Sequence, residues 1–183
     1  MRASQRVLFC LALACLSSFA AGQRSDQVLA ERVLGPQWKQ VSRRAGMIFA
    51  GTVLTAAPRA PVNDRAVSGL TPTVQLSFRV DQAIVGVEPG QILTIHEWAG
   101  ARLMHRPMSS GQRILIFLYP PSRLGLTSPV GGLLGQVALD PSGKYVSEQE
   151  LRLLNQITPK VRVDTDRVSV VQLERAIRSA REE

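Results

Sequence analysis

The sequence predicts a mainly β fold: a small closed barrel of five strands, with a helical segment before it and a helix after it. Three observations carry that prediction. Five short apolar or alternating stretches fall within about ninety residues between Met47 and Leu139, a spacing too tight for βαβ units and suited to a small barrel. Turns bearing Gly or Pro separate them. The chain has 183 residues, one domain's length, and a chain of about that size buries roughly 70% of its unfolded surface, so a core can form without disulfides.

The first residues carry Arg2 and Arg6, then ten unbroken apolar residues, Val7 to Leu16, then small residues. That order of charge, apolar run and small residues reads as a secretory signal peptide over residues 1–22. Cleavage would follow Ala20, in the triplet Ser18-Phe19-Ala20, or Gly22, in Ala20-Ala21-Gly22. The run is too short to span a bilayer, which takes about 20 apolar residues, and no later run reaches that length. Both cysteines, Cys10 and Cys15, lie inside it. The exported chain would therefore have no thiol chemistry and no disulfide, in a compartment that permits them. Lipidation at Cys15 is the alternative processing event. Loss of Arg2 and Arg6 takes the formal charge from +8 to +6.

Residues 23–45 read as the helical segment. Ser25 or Asp26 can cap a first helix, Val28, Leu29 and Val33 recur at helical spacing, and Gly35-Pro36 breaks it. Pro36 suits the start of a second helix with Trp38, Val41 and Ala45 on one side. The barrel is expected over 46–143. Met47–Leu54 is the first strand, with Gly51 marking a bulge or bend, and Ala56–Pro72 reads as a long loop. Val74, Leu76, Phe78 and Val80 alternate with polar residues, the mark of a strand buried on one face, which Ile84 and Val85 extend. Pro89-Gly90 turns the chain into a third strand, Gln91–Trp98. After a loop, Ala99–Gly111, the most apolar strand runs from Arg113 to Tyr119 and is expected at the centre, until Pro120-Pro121 ends it. Leu133–Leu139 is the expected fifth strand, closed by the turn Asp140–Gly143. The extension over 144–183 holds a capping-box pattern from Ser147 to Glu150 before Leu151, in competition with a strand through Lys144–Val146. A final helix is expected over Val168–Glu182, with a stripe of Val170, Leu173, Ile177 and Ala180.

Three stretches bear a likeness to a known group. Ala45-Gly46-Met47-Ile48-Phe49-Ala50-Gly51-Thr52-Val53 resembles the barrel-opening pattern of the netrin-like domains, the fold group that includes the tissue inhibitors of metalloproteinases. Phe78-Arg79-Val80 and Gly111-Gln112-Arg113-Ile114-Leu115-Ile116-Phe117 resemble its next strands. The resemblance covers residues 45–140 and implies an OB-like closed barrel. It does not imply protease inhibition, which in that group uses an N-terminal cysteine on the protease zinc; the expected mature chain has none.

Candidate chemistry is sparse. His96, Glu97 and His105 are the candidates for a metal site, and three such ligands with an open position would suit a metal-dependent hydrolase. His96 and Glu97 are neighbours on a strand, however, and so point to opposite faces. Ser109, Ser122 and Ser128 lack a nucleophile elbow, and Gly131-Gly132 lacks the Lys and helix of a phosphate loop. An isoelectric point near 10.7 invites a nucleic-acid reading, but aromatics are only 5% of the chain, and stacking sites need exposed rings beside a basic groove. The glycine-rich stretch Gly125–Gly132 remains, with Arg123, Thr127, Ser128, Gly131 and Gly132 as candidates for a binding rim. Loops on a rigid barrel are the usual place for recognition. The preferred expectation is an exported, periplasmic or extracellular, non-catalytic binding module. No cofactor is called for, and a protein or an anionic envelope polymer is the expected partner. The alternative is the periplasmic metal-dependent hydrolase of His96, Glu97 and His105.

Overall fold

Hydrophobic spacing builds the N-terminal helices as expected. The computed structural model describes residues 25–58, 73–104, 106–157 and 167–183; the expected signal peptide over 1–22 lies outside them. Residues 25–34 form helix α1, which buries Leu29, Ala30, Val33 and Leu34. Gly35, at φ +80°, ends it in the left-handed conformation that glycine adopts without strain. Helix α2, Trp38–Arg44, comes next, with Trp38 and Val41 buried. No helix among the described residues is long and apolar enough to cross a membrane.

Five strands form one antiparallel sheet: β1 Met47–Pro58, β2 Thr73–Val85, β3 Ile92–Trp98, β4 Arg113–Leu118 and β5 Gln136–Ala138, in the order β3-β2-β1-β4-β5. Strand β1 is the middle strand, and β4, expected at the centre, lies beside it. Strand β1 runs to Pro58, so residues 56–58 of the expected loop belong to the strand, and the rest of that loop, up to Pro72, lies outside the described residues. Three register shifts interrupt its pairing with β2, one of them between Ala50 and Gly51. Such bulges bend a strand and raise its twist. At Gly51 a side chain has no room, since a Cβ there would sit 2.5 Å from the Arg79 carbonyl oxygen.

The two faces of the sheet bury separate cores. Inside the curl lie Phe49, Val53, Val74, Leu76, Phe78, Val80, Ile95, Ile114, Ile116 and Leu118; the rings of Phe49 and Phe78 meet edge to face at 5.6 Å. On the outer face, Ile48, Ala50, Leu115 and Phe117 pack against helices α1 and α2 and the C-terminal helix α4, Val170–Glu182. Strand β4 is thus buried on both faces, as its unbroken apolar run requires. Ser169 caps α4 and exchanges hydrogen bonds with Gln172. Helix α3, Glu148–Ile157, begins where Ser147 Oγ accepts from the Glu150 amide. The competing strand shrinks to two single pairs, Leu139 with Val146 and Tyr145 with Ser169.

The expected closed barrel is corrected: no ladder joins β3 to β5. The expected fifth strand, Leu133–Leu139, is also corrected, because Gly132–Gly135 coils into a 3-10 turn and only Gln136–Ala138 joins the ladder with β4. Both corrections have one physical cause. Pro120, Pro121 and Pro129 supply no ladder donors, and Gly125, Gly131 and Gly132 sit at positive φ, outside strand geometry. The segment that would seal the ring touches β3 at one pair, His96 with Leu126.

Candidate binding rim at the open seam

The segment after β4 builds the seam. Tyr119 donates its amide to the Ser128 carbonyl at 3.0 Å, and Val130 donates to the Phe117 carbonyl at 2.8 Å. The chain between them folds on itself: the Ser122 amide reaches the Leu126 carbonyl, and the Gly125 amide reaches the Ser122 carbonyl. Arg123 and Leu124 form the tip. Leu124 is 84% exposed. Arg123 is exposed, and no described acidic residue pairs with it.

Thr127 is buried and works as a staple across the seam. Its amide donates to the His96 carbonyl of β3 at 2.9 Å, and its hydroxyl donates to the Tyr119 carbonyl at 2.7 Å. Gly131 and Gly132, at φ +67° and +64°, turn the chain into the 3-10 turn and present Leu133 and Leu134, each about half exposed. That turn packs against a second 3-10 turn, Ala99–Met104. Trp98 stands beside it, 51% exposed. Its indole lies over Gly100, where a Cβ would come within 2.5 Å of the ring. The ring is therefore held by its own following turn and offers its uncovered part to solvent.

The five candidate rim residues thus divide. Arg123 and the Gly131-Gly132 pair shape or line the rim, whereas Thr127 and Ser128 tie the segment to β3 and β4. Sequence reasoning did not single out Trp98, Leu124, Leu133 and Leu134, which the structure leaves exposed. The signal for the three leucines was their place beside glycine at turns, and for Trp98 its place at a strand end two residues before Gly100, where a large apolar side chain has little to pack against.

The metal candidates fall on two sides of the sheet. His96 is half-buried on the outer face, and Glu97 is fully buried inside the curl, where it has a polar partner. His105 lies outside the described residues. Among the described residues no group of three or more His, Cys, Asp or Glu side chains could hold a metal. A second buried polar knot, unforeseen, ties α3 to the loop before β4. Arg106 pairs with the buried Glu150 through its guanidinium, and its amide donates to Gln136 Oε1 at 3.1 Å.

Among the described residues, the groups whose proton affinity is clearly displaced are Asp140, Arg175 and Glu183, none of them a candidate rim residue. Burial pushes the Asp140 carboxyl up, but hydrogen bonds from Ser142 and from the amides of Tyr145, Lys144 and Gly143 outweigh it and hold the group below its ordinary range. The hydrogen bond and charge of Asp26 raise Arg175. A hydrogen bond from Lys39 lowers Glu183. Set against known proteins, the chain matches no family model and no curated protein.

Proposed function

We propose that this chain is an exported, non-catalytic binding module on a netrin-like, OB-type sheet that curls but stays open at one seam, and that the seam's rim takes the partner. The observation that carries the reading is the placement of Trp98, Leu133, Leu134, Leu124 and Arg123. Leu133 and Leu134 stand on one of two turns that touch, and Trp98 ends β3 just before the other; the last two stand on the turn that bridges His96. All are exposed or half-exposed, while the curl beneath them is filled with apolar side chains. Exposed apolar residues gathered beside a cation mark recognition surfaces more often than chance exposure does. The OB-type reading is supported by the segment 126–129, which touches β3 in parallel and β4 in antiparallel fashion, as a closing strand of such a curl would. Export is supported by the charge, apolar run and small residues of the first 22 positions.

Site-specific photo-crosslinking in living cells tests the proposal. A photoreactive residue at position 124 should yield adducts with another envelope component. One at Val171, 51% exposed on the opposite, helical side, should not. Equal labelling from both positions, or none from 124, would sink the rim reading.

A further inference from the structure

The outer edge of β3 carries backbone groups that an extended chain would satisfy. The Gln91 carbonyl accepts from the Val80 amide of β2 at 2.9 Å, whereas the His96 carbonyl accepts from the Thr127 amide on the opposite side, also at 2.9 Å. Backbone polar groups alternate in direction along a strand. Leu93, Ile95 and Glu97 therefore face β2, and Ile92 and Thr94 turn their amides and carbonyls outward. Among the described residues nothing pairs with those outward groups. The bridging segment stops at Leu126 because the turn from Ser122 to Leu126 closes on itself.

Edges of this kind are normally guarded by charge, proline or a bulge. Residues 92–95 read Ile-Leu-Thr-Ile and have none of these, and Ile92 is 67% exposed. The edge also has two apolar sides. Ile92 lies outside the curl, while Leu93 is half-buried and packs against the inner core. Arg123, without an acidic partner among the described residues, stands on the turn that bridges the next outward residue, His96.

From this juxtaposition we infer that β3 takes its partner by strand addition, with an extended peptide segment of alternating β-branched residues and an acidic end lying along residues 92–95. The inference rests on the rim reading above and gives its binding mode. Main-chain hydrogen bonds supply affinity in this mode, and alternate side chains supply selectivity.

The test uses protein purified after expression of the full chain, with the synthetic peptide Glu-Val-Thr-Val-Thr-Val-Glu as the probe. Free protein should exchange the Ile92 and Thr94 amides fast and the Leu93 and Ile95 amides slowly. The probe should slow Ile92 and Thr94 by about tenfold or more. A probe N-methylated at alternate residues should bind about tenfold more weakly, for loss of its donors. Thr94→Pro should weaken binding by a similar factor of about ten while the fold is kept, because the deleted amide points away from β2. A Lys-ended probe should bind several-fold more weakly at low salt.

Binding that leaves Ile92 and Thr94 unprotected, or that N-methylation does not weaken, would overturn strand addition while the rim reading stood. No binding at millimolar peptide would also overturn it, leaving position-124 crosslinking to judge the rim separately. Slow exchange at Ile92 and Thr94 in free, concentrated protein that vanishes on dilution would assign the edge to a second copy, against the proposal.

Discussion

Gly51 shows how one residue sets the shape of the whole curl. It sits at a register shift in β1, with the Arg79 carbonyl 2.5 Å and the Phe49 ring 3.1 Å from where its Cβ would be. Backbone on one side and a packed ring on the other leave no flexible atom to give way. Gly51→Ala should therefore destabilise the protein by about 2 kcal/mol, read as a lower midpoint in urea with an unchanged slope. An unchanged midpoint would mean that β1 can shift against β2 at no cost. The bulge was legible in the sequence, since a glycine inside an apolar strand signals one. Glu97 was legible only in part. Alternation put it opposite His96, but nothing local told which face was the dry one. That depends on how β3 lies against the curl, and the burial of a carboxylate inside it comes from tertiary placement alone.

Helices α2 and α4 meet at their C-terminal ends, and each covers the other's free carbonyls. Arg181 of α4 donates to the Ser42 and Ala45 carbonyls at the end of α2, and Arg43 of α2 donates to the Ala180 carbonyl at 2.8 Å. Helix C-termini carry unpaired carbonyls and partial negative charge, so cations there are favourable. Arg181→Ala should cost about 1–2 kcal/mol, measured by thermal melting, and Arg181→Lys should restore part of it. If the alanine variant melted like the parent, the caps would be idle. The amphipathic stripe that forms α4 was visible in its spacing, as were the alternation of β2 and the apolar run of β4. The fifth strand misread for the opposite reason. Leu133 and Leu134 look like strand residues, yet two successive left-handed glycines coil them into a turn. Apolar spacing reports which residues avoid water within an element; it does not report where a chain must turn, nor whether two distant edges will join.

At the scale of the molecule, β1 and β4 form a wall with a core on each side. Helix α4 closes one of those cores with Val170, Leu173, Ala176, Ile177 and Ala180, all nearly or fully buried. Burial of each large side chain among them contributes about 1.5–3 kcal/mol, so together they rival the roughly 5–15 kcal/mol that typically separates folded from unfolded domains. A chain ending at Arg167 should show no cooperative thermal transition and should lose the near-ultraviolet signal of buried Trp38. A cooperative melt in that truncation would show that the curl folds by itself.

The partition has a further effect on what this protein can become. Whatever holds the chain upright on the helical side has no atom in common with the lip where Arg123, Leu124 and Ile92 meet water. Changes of letter at that lip can accumulate over generations without loosening the frame behind it, so under the proposed role one architecture could be refitted to a succession of different guests.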